Sequence, residues 1–206
     1  FRRVLFRSQV PRATFDDMLL RHAASCGADV RQEHRVLDAS FDAQGVTLAV
    51  QPTNGETPRE VRTRVVIDAS GRGSLLSRKF SLRIDEPKLA NLAVFSHYSG
   101  VPRRENRRMG DIRIVARPDL GWFWMIPISG ELMSVGVVLP KSAAAELRSL
   151  EPSELLERAI AETPAVAALM AKAKREWPVR VEKDFSFGSK AYAGDRWLLA
   201  GDAGSF

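Results

Sequence analysis

A short apolar run followed at once by small residues and a single acid, Trp197-Leu198-Leu199-Ala200-Gly201-Asp202-Ala203-Gly204, constrains this chain more than any other stretch. The apolar run reads as a buried strand. Gly201 and Ala203 let the backbone come close to a ligand, and the carboxylate of Asp202 is left to accept hydrogen bonds from hydroxyls. A helix is expected to open after Gly204, with its positive end aimed at the same place.

A second strand-loop-helix signal lies upstream. Val61 to Ile67 reads as a strand, Asp68-Ala69-Ser70-Gly71-Arg72-Gly73-Ser74 as a glycine-rich loop, and Leu75 to Lys79 as a helical turn. That order places backbone amides and a helix end near a phosphate. Before it, Thr14 is a plausible N-cap for a helix whose apolar residues Phe15, Met18, Leu19 and Ala23 recur at helical spacing, with Gly27 as its stop. Ala28 to Leu37 and Val46 to Gln51 read as extended, with the hairpin signal at Asn54-Gly55. After Pro87 the strand candidates are 92–101, 112–116, 121–128, 132–139 and 179–187, expected to form a mostly antiparallel sheet. A helical insertion spans 142–174, with Ser153 and Thr163 as caps.

The pattern gives an α/β fold with residues 9–87 and 186–206 in one domain and 88–185 in a second. The opening octapeptide, FRRVLFRS, joins no periodic element and reads as a non-native segment. It carries half of the formal charge of +6. The remaining basic cluster, Arg103 to Arg108, is interrupted by Glu105 and lacks interleaved aromatics, so a solvated loop is expected and no nucleic-acid partner. No apolar run reaches the roughly 20 residues needed to cross a bilayer, so no stable membrane insertion is expected. A lone cysteine, Cys26, fits a cytoplasmic setting, and scattered His22, His34 and His97 offer no metal site. No nucleophile motif is present either, so a cofactor-borne reaction is the natural expectation.

Three segments together resemble FAD-dependent flavoprotein monooxygenases and the related flavin-dependent halogenases. They are Val10-x-Arg12-x-x-Phe15-Asp16, Val66-Ile67-Asp68-Ala69-Ser70-Gly71-Arg72-x-Ser74, and Gly194-Asp195-Arg196-x-x-Leu199-x-Gly201-Asp202-Ala203. The resemblance implies a partial FAD-binding domain of Rossmann-like, glutathione-reductase type beside an antiparallel substrate domain. It implies FAD contacts from Arg12, Asp68, Gly71, Arg72, Gly201, Asp202 and Ala203, with Asp202 on the ribityl chain. The alternative for Asp68 and Asp202 is a helix or turn cap, and for Arg12 a surface residue.

Trp122-Phe123-Trp124-Met125-Ile126-Pro127 is similar to the Trp-x-Trp-x-Ile-Pro pattern of the halogenases, and 134–138 to the strand that follows it. The resemblance makes Trp122, Trp124, Ile126 and Pro127 candidates for a substrate pocket. Period two puts Trp122, Trp124 and Ile126 on one strand face. The alternative is a sheet buried on both sides.

The implied activity is oxidation of an aromatic or other apolar small molecule through a flavin hydroperoxide, with a flavin reductase or NAD(P)H as electron source. A non-halogenating hydroxylase or a polyprenyl (geranylgeranyl) reductase-like enzyme is the alternative within the class. A cofactor-free structural or binding module is the alternative outside it. The GxGxxG fingerprint of the ADP-binding unit is absent, and so is a lysine that the halogenases supply from an upstream region. The expectation is an interior fragment that is inactive alone, with its catalytic residues unknown.

Overall fold

The computed structural model describes residues 10–86, 91–140, 150–183 and 186–206. The opening octapeptide and the first part of the 142–174 insertion lie outside these. Contacts divide the chain into two units, one of residues 1–22 with 89–184, the other of 23–88 with 185–206.

Helix α1 (Arg12–Ser25) runs across that division. It begins earlier than Thr14, and Asp17, instead of closing a capping box, pairs with Arg21 at 2.9 Å. Its end is a Schellman motif, in which Gly27 N–H donates to Ala24 O at 3.0 Å and Ala28 N–H to Ala23 O at 3.1 Å. None of its residues is buried: Phe15, Met18, Leu19 and Leu20 are exposed.

The second unit begins with an antiparallel meander, β1 (His34–Asp42), β2 (Gly45–Pro52) and β3 (Arg59–Thr63). The tight turn is at Ala43-Gln44, where the Asp42 carboxylate accepts the N–H groups of Gln44 and Gly45 at 2.7 and 3.0 Å. Asn54-Gly55 sits, as expected, in the connection of the antiparallel β2–β3 hairpin, which is longer than a two-residue turn. The strand expected over 61–67 is broken at Arg64-Val65 into β3 and β4 (Val66–Asp68). Helix α2 (Leu75–Lys79) follows, then β5 (Arg83–Asp85). Ala39, Val46 and Leu76 form a small core with Phe41, Leu48, Val66, Trp197 and Leu199 against it.

The first unit is a six-stranded antiparallel sheet. Its strands are β6 (Asn91–Ser99), β7 (Arg113–Ala116), β8 (Trp122–Ser129), β9 (Leu132–Pro140), β10 (Lys174–Arg175) and β11 (Arg180–Lys183), in the order β10-β6-β9-β8-β7 with β11 also on β6. The strand expected over 179–187 divides at its end: β11 belongs here, and Phe187 opens β12 (Phe187–Ser189), which pairs with β5 in the other unit. Helices α3 (Pro152–Ala161) and α4 (Pro164–Met170) cover one sheet face, burying Leu155, Leu156, Ala159 and Val166 on Val94, Phe123, Met125, Met133, Val135 and Leu139. Each large side chain so buried contributes roughly 1.5–3 kcal/mol.

The cap of α3 is Glu151, in a capping box with Glu154, rather than Ser153, which Pro152 pushes into the first turn. Thr163 is the N-cap residue of α4, but its hydroxyl donates to Ala159 O at 2.9 Å instead of capping. Arg117, almost fully buried, ties the β7–β8 turn to this helix pair. It donates to Ala159 O and Thr163 Oγ1, each at 2.8 Å, and pairs with Asp119 at 2.9 Å and Glu162 at 3.3 Å. The fold is therefore mixed α and β with mostly antiparallel sheets. No helix among the described residues is long and apolar enough to cross a membrane.

Candidate functional site

The last strands of the second unit are β13 (Ala193–Gly194) and β14 (Trp197–Leu199). β14 lies parallel to β4, with Leu199 opposite Asp68, and Ala200 N–H donates to Asp68 O at 2.9 Å. Two motifs far apart in sequence thus leave the carboxyl ends of neighbouring parallel strands side by side, the usual position for ligand-binding loops in parallel sheets. Ser74 Oγ, buried, donates to Ala203 O at 2.6 Å and locks the loops together.

Within this frame the two aspartates differ. Asp68 is 6% exposed. Its Oδ1 accepts Ser70 N–H at 2.9 Å and Ser70 Oγ–H at 2.5 Å, and its Oδ2 accepts Leu76 N–H at 2.7 Å. Both oxygens are committed to the chain's own loop. The carboxylate meets a first-turn amide of this five-residue helix, so Asp68 organises the loop. Asp202 is exposed on the 3-10 turn Gly201–Ala203, and its carboxylate makes no hydrogen bond or ion pair among the described residues. Gly201 and Gly71 both hold φ near +60°, at 58° and 62°, with open space where a Cβ would stand. These are the positions where backbone and an incoming group can meet.

Residue 206 exchanges both backbone hydrogen bonds with Phe187, at 2.9 and 3.1 Å, and the Tyr192 ring packs beside Gly204, 3.0 Å from where a Cβ would stand. Arg72 is exposed on the 3-10 turn Gly71–Gly73. Arg12 belongs to the other unit, exposed, with Asp16 at 3.2 Å.

A cleft of about 560 Å³ opens beside the Asp68 loop, bounded by Arg35, Val36, Ile67, Ser70, Gly73 and Arg78 among others. Asp202 does not line it. Arg35 and Arg78 have no ion pair among the described residues. No sequence motif joins them, and only the folded chain brings them to one concave surface. Two guanidinium groups on one cleft, a glycine-rich loop and the carboxylate of Asp202 on the adjoining turn suit a ligand with both pyrophosphate and polyol parts.

In the first unit, Trp122, Trp124 and Ile126 share the sheet face opposite the helices. Trp124 Nε1 donates to Ser134 Oγ at 3.0 Å, and its ring lies 6.0 Å from Trp122 and 5.6 Å from Phe95. The indole also lies over Gly136, where an added Cβ would come within 2.3 Å of it. Pro127 is buried and, by strand alternation, points to the helix-covered face with Phe123 and Met125. It therefore lies on the face opposite Trp122, Trp124 and Ile126. The register shift directly after Pro127 is what admits a proline into this strand.

The fold and the paired loops define an FAD-binding protein: the chain belongs to the FAD-binding domain family, whose pattern spans residues 6–204. Flavin-dependent halogenases stand among its relatives. It is 32% identical to a 1H-pyrrole-2-carbonyl-[peptidyl-carrier protein] chlorinase of Pseudomonas fluorescens, over 98% of this chain and 45% of that protein. The flavin-dependent halogenase CmlS superposes with a TM-score of 0.87 at 33% identity, over 96% of this chain and 36% of that one. A flavoprotein/dehydrogenase from Cytophaga hutchinsonii superposes with 0.85 at 30% identity, over 97% and 48%. The chain spans under half the length of the curated relatives it matches.

Proposed function

We propose that the protein to which this chain belongs is an FAD-dependent oxidoreductase of the halogenase and monooxygenase type, acting on an aromatic or other apolar small molecule. The observation that carries this reading is the free carboxylate of Asp202, held beside the Ser74–Ala203 bridge on a turn that leaves Gly201 open. Residues 9–87 and 186–206 serve as part of a Rossmann-like, glutathione-reductase-type cofactor domain, and 88–185 as the substrate domain.

In this reading Asp202 accepts hydrogen bonds from the ribityl hydroxyls, and Arg35 and Arg78 offset pyrophosphate charge. Bound FAD supplies two-electron redox chemistry and oxygen activation. The wall formed by Trp122, Trp124 and Ile126 orients a flat substrate and excludes water. The setting is the cytoplasm, with a flavin reductase or NAD(P)H as the electron source.

Full-length protein should be yellow and show flavin absorbance, and Asp202→Ala should weaken its FAD binding. A colourless, well-folded product would sink the reading in favour of a cofactor-free module. The likeness to the Cytophaga flavoprotein/dehydrogenase favours a second reading, a non-halogenating FAD oxidoreductase. Turnover that requires chloride or bromide decides for halogenation, and halide-independent turnover for the second reading.

A further inference from the structure

Residues 176–179 lie opposite Ser96 and His97 of β6, between the strand pairs Arg175–Tyr98 and Arg180–Phe95. The extra length makes a bulge, and bulges re-aim side chains. This one is firmly held. Glu176 N–H donates to His97 O at 2.9 Å, buried Ser96 Oγ to Trp177 O at 2.6 Å, and Ser99 Oγ to Glu176 Oε1 at 2.6 Å. Trp177, 45% exposed, is thereby fixed at the surface. The His97 imidazole lies 4.6 Å from it and the Arg180 guanidinium 5.7 Å.

Arg180 stands directly across from Phe95, whose ring touches Trp124. Its cation is thus set at the edge of the aromatic wall. Among the described residues neither the Arg180 guanidinium nor the His97 ring has a hydrogen-bond or ion-pair partner. Burial and the nearby Arg180 charge hold His97 below its ordinary value of 6.5, so at neutral pH it is an uncharged hydrogen-bonding group beside one cation. A recess of about 30 Å³ opens between Phe95, His97, Trp177 and Arg180. That is room for about two water-sized groups. It takes the head of a carboxylate but not a ring, which must lie outside, on the aromatic shelf.

We propose that this recess is the subsite for the carboxylate of an aromatic acid, bound by Arg180 with His97 as a second hydrogen-bonding group, while the ring stacks on Phe95 and Trp124. A guanidinium fork matches a carboxylate in shape as well as charge, and Trp177 holds the fork in place from its face. The subsite rests on reading the Trp122–Trp124 face as the substrate wall.

The test uses full-length protein titrated with benzoate and with benzamide, followed by tryptophan fluorescence and by ligand-observed NMR. Wild type should bind benzoate at least tenfold more tightly than benzamide. Arg180→Gln should abolish that preference with benzamide affinity unchanged, and Arg180→Lys should restore part of it. Equal binding of the two probes by wild type, or unchanged benzoate affinity in R180Q, overturns the subsite. Flavin absorbance of the same samples separates this from the broader reading. A colourless protein with an Arg180-dependent preference keeps the subsite and sinks the flavoprotein. A yellow protein without the preference does the reverse.

Discussion

Ser74 donates its hydroxyl to the carbonyl of Ala203 across 2.6 Å, joining the loop after β4 to the turn after β14. The bond is buried, and Ser74 is held in a left-handed conformation (φ 37°, ψ 67°) to make it. Ser74→Ala leaves the Ala203 carbonyl without its donor, which costs about 1–3 kcal/mol. The urea midpoint should fall accordingly, and FAD affinity of the full-length protein should fall with it because Asp202 sits on the released turn. An unchanged midpoint and affinity would mean the bridge holds nothing.

The two aspartates should separate on mutation. Asp68→Asn removes a charged acceptor from Ser70 and Leu76 and turns an amide NH₂ toward one of these donors. It should destabilise by about 1–3 kcal/mol. Asp202→Asn touches no internal partner, so the urea midpoint should stay put while FAD binding weakens. If the midpoint falls in D202N and not in D68N, the roles are exchanged.

This difference also marks how far residue types could be read. The apolar run at 197–200 and the small residues after it were legible as strand and turn, and so was the Asp68 loop. Which aspartate remained free was not legible. It depends on three donors converging on Asp68, which only the folded backbone brings into range. The Trp122–Trp124–Ile126 face followed from strand alternation, which puts Pro127 on the other face. The apolar spacing of α1 signalled a helix correctly. Spacing gives a face but no cover for it, and no described residue buries Phe15, Met18 or Leu19. Arg117 carried no sequence signal at all, since its partners Asp119, Ala159 and Glu162 are united only by packing.

Arg117 gives a pH prediction. Hydrogen bonding to Arg117 holds the Asp119 carboxyl below its ordinary 3.8, and Arg158 first, then Arg117, hold Glu162 below 4.5. Both folded-state values are depressed, so the unfolded chain binds more protons as the medium acidifies. The stabilisation is fully present above the ordinary values and is lost as pH falls through the lowered ones. Urea midpoints measured from pH 7 down to about 3 should drop below roughly pH 4.5, and the drop should be shallower in Asp119→Asn and shallower still when Glu162→Gln is added. A wild-type profile as flat as that of the double variant would rule these carboxylates out.

Gly136 tests the aromatic wall. A Cβ at this position would lie 2.3 Å from Trp124 Cζ2 and 2.5 Å from Phe95 Cβ. The Phe95 atom is fixed by its strand, so relief must come mainly from the indole swinging off β9. That motion breaks the Trp124–Ser134 hydrogen bond and parts Trp124 from Phe95. Gly136→Ala should therefore destabilise by about 1–3 kcal/mol, the usual range for overpacking, and shift tryptophan emission to the red as the ring meets water. Trp124→Leu vacates the same space. Combined with it, G136A should cost less than in the wild-type background, a departure from additivity of at least about 0.5 kcal/mol for residues in contact. Full additivity with unshifted emission would show that the indole does not rest on this glycine.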